Sequence, residues 1–210
     1  MELREVIESR RSVHDYTDES LDDETFHSIF EGVRYAPSGF NLQPWEFLVV
    51  REAENRERLQ ECANGQDHVT DAPIGIVVLG NLDPAAHTER NFEDWLEKGY
   101  LPDEETRDDL IATVEEWRDW PEEEKRVWTT RSTALAAMTL MYAAWDEGVA
   151  TCPMEGFDGE AITEEFGIEG YEPVMVMTMG YPEDDADDLE TERKFRRPVE
   201  EIVHEESFDP

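Results

Sequence analysis

The stretch ALAAMTLMYAA, residues 134–144, is apolar on nearly every side and rich in small side chains. That pattern belongs to a helix packed on several faces at once, not to one that turns a single stripe to a core. Pro121 upstream suits a first helical turn and Gly148 downstream a stop, so the pattern predicts one long helix from Pro121 towards Asp146. Around it lie three short runs, FLVV at 47–50, IGIVVL at 74–79 and PVMVMTMGY at 173–181, which read as buried strands. A further helix is predicted over LDDETFHSIFEGVRYAP, where Phe26, Ile29, Phe30 and Val33 form a stripe, Asp22 or Asp23 can cap and Pro37 lies beyond the end. Shorter helices are expected over 3–9 (Leu3, Val6 and Ile7 at helical spacing), over ENRERLQECA with Leu59 and Cys62 inward, and over AITEEFG. Residues 83–120 are helical in pattern but polar, anchored by Trp95, Leu96, Trp117 and Trp120, and read as an excursion that covers something. No repeat or Pro- or Ser-rich linker divides the chain. The expectation is one α+β domain over 1–210: a small mixed sheet covered by helices, with KFRRPVEEIV as an extended C-terminal arm.

The 210 residues carry 54 acidic and 18 basic side chains, a formal charge of −36. A chain this negative repels phosphate backbones and anionic lipid, so neither nucleic acid nor membrane is an expected partner. Hydrophobic residues at 39% and aromatics at 10% argue against a disordered polyanion. The longest weakly polar stretch, 133–145, is shorter than the ~20 residues of a spanning helix. The opening MELREVIESRR has no apolar signal-type segment, and Cys62 and Cys152 form no CxxC pair. A cytoplasmic protein is expected. Acids are spread along the whole chain, with a peak in EDDADDLETE at 183–192, and only three of the 18 cations are Lys. This is the distribution expected of adaptation to molar salt, where the Debye length is about 3 Å and self-repulsion is screened.

Against that background the cations are informative. Arg10 and Arg11 are adjacent, and Arg193, Lys194, Arg196 and Arg197 fall within five positions. Two readings are open: an anion to be held, or neutralisation of nearby carboxylates. Several site types are absent. No GxGxxG follows a strand, no GxxxxGK[ST] or GxSxG occurs, the five histidines have no HxxxH or HExxH spacing, and EDDADD lacks the glycine and terminal glutamate of a calcium loop. No metal site is expected.

Five segments lack helix or strand periodicity and are rich in hydrogen-bonding groups: RRSVHDY at 10–16, APSGFNLQPW at 36–45, NGQDHVTDAP at 64–73, CPMEGF at 152–157 and KFRRP at 194–198. In this order the chain, from about residue 3 to 203, resembles the nitroreductase family of FMN-dependent oxidoreductases. The resemblance implies a nitroreductase-like fold and an intertwined homodimer with two FMN sites at the subunit interface. On this pattern Arg10, Arg11 and Ser12 fall at phosphate and ribityl contacts, and Lys194 and Arg196 at the arm's phosphate contacts, so that both basic clusters would meet one dianion. Pro37, Ser38, Gly39 and Asn41 correspond to contacts with the flavin ring across the interface. Pro153, Met154, Glu155 and Gly156 correspond to the loop over the isoalloxazine, with a backbone N–H at Glu155 or Gly156 aimed at N5. Read without the other four segments, CPMEGF is an ordinary turn. Gln43 and Trp45 are expected to brace their loop, and Arg197 either to touch FMN or to pair with Glu200 or Glu201.

Two departures matter. His14 stands where the family often has Lys or Arg near flavin N1 and O2, and Gln66 and His68 lie near positions that carry Asn and Lys in some relatives. Histidine is only partly protonated near neutrality, so stabilisation of the reduced flavin's charge is expected to depend on pH; the other reading makes His14 a surface residue beside Asp15. The activity implied is hydride transfer from NAD(P)H to a small electron-poor acceptor, a nitroaromatic or quinone, by ping-pong exchange at FMN, with no side chain assigned as catalyst. A specialised reductive dehalogenase or desaturating relative, or a non-catalytic flavin-binding or interaction protein, are the competing readings. The excursion at 83–120 either lines an acceptor channel or covers a sheet edge. The charge pattern carries a test of its own: circular dichroism followed from molar KCl to dilute buffer is expected to show the fold loosening, and an unchanged spectrum would discard salt adaptation.

Overall fold

In the computed structural model, which describes residues 1–183 and 193–208, the elements run in chain order as follows. Helix α1 (Leu3–Ser9) and α2 (Asp23–Val33) precede strand β1 (Trp45–Val50); α3 (Ala53–Cys62) and the single turn α4 (His68–Asp71) lead to β2 (Ile74–Asn81). Then come α5 (Thr88–Glu97), α6 (Glu104–Glu115), the long α7 (Glu122–Asp146), β3 (Ala150–Met154), α8 (Gly159–Phe166) and β4 (Tyr171–Gly180). Most of the EDDADDLETE stretch, residues 184–192, lies outside the described residues.

The strands form one sheet in the order β1-β2-β4-β3, every ladder antiparallel. The mixed character expected from the sequence is confined to an isolated parallel bridge between Ser12 and Thr151. β2 is buried along its whole length, so its side chains serve both faces. Ile74, Ile76 and Val78 join Met177 and Met179 of β4 under α2 and α7, against Ile29, Val33, Ala136, Ala137, Leu140 and Ala144. Val77, Leu79 and Val176 face the other way, towards Leu59 of α3 and Ile162 of α8. The sheet is thus the middle of three layers.

The helices obey the sequence signals. Asp22 accepts from the Thr25 N–H at 2.8 Å and starts α2. Pro121 is the N-cap of α7, so the helix begins at Glu122, one residue later than predicted, and Gly148, at φ 75°, takes the left-handed turn after its end. In α1 only Val6 is buried, and Leu3 and Ile7 face outward. α7 lies close on the sheet because Gly80 has no side chain: a Cβ there would sit 2.5 Å from Thr129 Oγ1 and 2.8 Å from Cγ2.

The excursion has a small core of its own. Phe92, fully buried, packs with Leu42, Ala85 and Val114, and with Trp95, Trp117 and Trp128 around them. It covers the loop ahead of β1, since Leu42 belongs to this cluster and the Phe40 ring lies 5.9 Å from Phe92 and 5.6 Å from Trp117. Arg118 bridges Asp83 and Glu115 across it, and this guanidinium holds the Asp83 carboxyl below its ordinary range. No described helix is long and apolar enough to cross a membrane.

Gly80→Ala is expected to lower stability by about 1–3 kcal/mol through overpacking. Thr129→Ala, which removes both crowded atoms, should recover most of that loss in the double variant. Denaturant unfolding of the four chains measures it, and simply additive losses would show that the close approach is not the cause.

Candidate active site

Residues 10–17 have no regular structure of their own, yet they are fixed. The Val13 N–H donates to Thr151 O at 3.3 Å, beside the Ser12–Thr151 bridge, and the Thr17 N–H donates to Tyr181 O at 2.9 Å. The buried Tyr16 hydroxyl donates to Val13 O at 2.6 Å and lies 2.7 Å from Thr178 Oγ1. This stitching lays the strip along β3, whose edge it covers.

Three of the five predicted segments meet there. The His14 and His68 rings stack, centroids 4.5 Å apart and planes 20° from parallel. His68 Nε2 lies 2.9 Å from the sulfur of the buried Met154, and His14, His68 and Cys152 bring their ligating atoms within 4.8 Å of one another. Burial, and secondly the neighbouring His14, lower the His68 pKa from its ordinary value, so the neutral imidazole is favoured. The Gln66 amide nitrogen donates to Gly156 O at 2.9 Å and Ala63 O at 3.0 Å, tying NGQDHV to the turn after β3. That turn is pinned further by Asp158, whose N–H donates to Cys62 O and whose carboxylate caps α8. Pro153 and Met154 belong to β3 itself, opposite Met177 and Val176, and Glu155 and Gly156 follow it exposed. CPMEGF is therefore half strand, which the sequence reading missed.

The basic residues divide. Arg10 is half-buried, and its Nη1 is buried with no hydrogen-bond partner among the described residues. Arg11 Nη1 instead donates to Glu8 O, Ser9 O and Arg10 O, capping the carbonyl end of α1. The exposed Lys194 and Arg196 lie in an irregular arm, where Arg196 Nη1 donates to Lys194 O and Phe195 O. Arg197 pairs with Glu201 at 3.5 Å, one of the two partners expected for it.

The fifth segment is elsewhere. Pro37, Ser38, Gly39 and Asn41 lie ahead of β1, at the opposite edge of the sheet from β3. Three strand spacings of about 4.8 Å separate those edges. The loop is strained: Phe40, Asn41 and Gln43 have φ of 49°, 56° and 48°. Ser38 Oγ accepts from the Gln43 N–H at 2.9 Å, and Asn91 of α5 clamps the loop, donating to Phe40 O and accepting from Asn41 Nδ2 at 3.0 Å. Asn91, with the His14–His68–Cys152 cluster, is what sequence reasoning missed. No spacing rule links residues drawn from separate segments.

The sequence profile of the nitroreductase family matches residues 7–181. The chain belongs to that family. MhqN of Bacillus subtilis, named as an NAD(P)H nitroreductase, is 31% identical over 204 residues, covering 96% of this chain and 98% of its own. Among solved structures, ydfN of Bacillus subtilis superposes with a TM-score of 0.87 at 30% identity, covering 97% of this chain and 98% of its own. A protein assigned as a nitroreductase from Exiguobacterium sibiricum, in complex with FMN, gives 0.84 at 28% identity, covering 97% of both chains.

The lowered His68 pKa has a consequence for this nitroreductase-family chain. The unfolded chain binds a proton near pH 6.5 that the native state resists, so stability is full above that value and falls as pH drops through it. Thermal unfolding from about pH 7.5 to 5.5 should show the loss, and His68→Gln should flatten it. Parallel curves for both proteins would assign the loss to other groups.

Proposed function

We propose that this chain is an FMN-dependent oxidoreductase that takes hydride from NAD(P)H and passes it to an electron-poor nitroaromatic or quinone by ping-pong exchange. It acts as a cytoplasmic homodimer adapted to high salt. Family membership supports this reading, as do the NAD(P)H nitroreductase name of MhqN and the FMN held by the Exiguobacterium protein. The observation that carries it is the meeting of residues 10–14, 66–68 and 152–156 on one face, with the buried Arg10 Nη1 lacking a partner. An unpartnered buried guanidinium nitrogen fits a phosphate oxygen, and the open space around Gly39 fits close approach by a flat ring.

FMN held here would supply the redox chemistry at its N5. The protein's residues bind and orient. Arg10, Arg11, Ser12, Lys194 and Arg196 would hold the phosphate, Arg11 only by releasing the carbonyls at the end of α1 to which its Nη1 donates. Pro153, Met154, Glu155 and Gly156 wall one side of the ring, and Gln66 keeps their turn in position. His14, stacked on His68, stands where the family often has Lys or Arg and would face flavin N1 and O2. Pro37, Ser38, Gly39 and Asn41 come from the second copy, because one chain holds them at the far edge of its sheet. Exposed apolar side chains supply the contact such a pairing needs, among them Leu3, Ile7, Leu135, Phe195 and Ile202.

The purified protein should be yellow, bleach with NADH or NADPH, and recover its colour with a quinone. Arg10→Ala should weaken FMN binding by roughly 10- to 150-fold, the worth of one charge-assisted hydrogen bond, as read by flavin fluorescence titration. A colourless wild-type chain that ignores added FMN overturns the reading.

A further inference from the structure

A cavity of about 410 Å³ opens between the strained loop and α5, and Asn41, Gln43, Arg34, His87, Arg90 and Asp94 are among its lining. Its charges are unevenly matched. Arg34 is held by Glu31 at 2.7 Å, and Asp94, although it lines the cavity, has its charge paired with Lys98 at 2.7 Å. Glu93, the other carboxylate within helical reach of Arg90, is taken by Arg107 at 2.8 Å. Neither the Arg90 guanidinium nor the His87 ring makes a hydrogen bond or ion pair among the described residues. In a chain of formal charge −36, this exposed guanidinium has Glu89 beside it in sequence, but the two carboxylates one helical turn away, Glu93 and Asp94, are occupied by other cations. Around it stand the carboxamides of Asn41 and Gln43, each donating one hydrogen bond, to Asn91 Oδ1 and to Asn41 O, and keeping a second N–H to offer.

We propose that this cavity holds a phosphate of the nicotinamide nucleotide, with Arg90 as its principal cation and His87 as a second donor. The inference rests on the function proposed above, in which Asn41 stands beside the flavin ring. Nitroaromatics and quinones need carry no charge, whereas NADH and NADPH always carry a diphosphate and must approach a strongly negative protein. An anionic substrate gains a foothold on such a surface only where a cation is uncompensated. A guanidinium fork with amide donors beside it suits phosphate oxygens.

The test uses the full chain loaded with FMN at one fixed salt concentration. The redox-inert probes ADP-ribose and 2′-phospho-ADP-ribose are titrated calorimetrically into wild type, Arg90→Glu and Arg90→Lys. Arg90→Glu is expected to weaken binding at least tenfold and Arg90→Lys much less, with FMN content and circular dichroism unchanged. Loss confined to the 2′-phosphorylated probe assigns the cavity to the extra phosphate of NADPH; equal loss with both assigns it to the shared diphosphate. Should Arg90→Glu bind both probes as tightly as wild type, the phosphate site is wrong. A wild-type chain that takes up no FMN defeats the oxidoreductase reading, whereas a yellow chain with an indifferent Arg90→Glu variant defeats only this inference.

Discussion

Backbone pairing between the strip at 10–17 and the ends of β3 and β4 governs where everything else in the candidate site lies. β3 is an edge strand, and an uncovered edge leaves donors and acceptors exposed to water or to another chain. Here Val13 donates to Thr151, Thr17 to Tyr181, and the Glu183 N–H to Asp15 O at 3.2 Å, so the strip is held at both ends. Tyr16 closes the middle, with its ring buried and its hydroxyl satisfied on both sides. A register slip of one residue would turn His14 away from His68 and present Val13 in its place. The stacked imidazoles, the contact with Met154 and the unpartnered Arg10 nitrogen all follow from that register.

Charge shapes the rest of the surface. With three carboxylates for every cation, Arg serves as a bridge wherever it can: Arg107 spans Glu93 and Asp108, Arg118 spans Asp83 and Glu115, and Arg126 contacts Glu122 and Glu172. Exposed pairs of this kind add little stability singly. Their effect here is to withdraw cations from general circulation, so that those left over stand out against the negative field.

How much of this the sequence disclosed depended on whether the cause was local. Asp22 capping α2, the small-residue run of α7 and the apolar β2 were legible because cap, composition and burial are written within a few residues. β3 was not. Ala150–Met154 is five residues with Pro153 inside, which reads as a loop by propensity, and it is a strand because β4 pairs with it along one side. Phe92 was lost among the polar residues of α5, although it is the centre of the excursion's core. The five unpatterned segments were found as candidates, but nothing in their spacing showed that three would meet at one sheet edge and a fourth stand at the other. Only the strand order β1-β2-β4-β3 separates them.

The excursion is best understood from the strain beside it. Three non-glycine residues in left-handed conformation cost of order 1–3 kcal/mol each, and such a loop persists only where its surroundings over-determine it. The over-determination comes from α5: the Asn91 amide grips Phe40 O and the Asn41 side chain, while Phe92 and Trp117 enclose the Phe40 ring. Covering a sheet edge would require neither the carboxamide clamp nor the strain. Because Asn91 follows Arg90 directly, the group that fixes the loop and the cation that lines the cavity ride on the same turn of helix. Asn91 therefore ties the helix that carries Arg90 to the Asn41 side chain through one hydrogen bond, and the geometry of the loop and the shape of the cavity are set together.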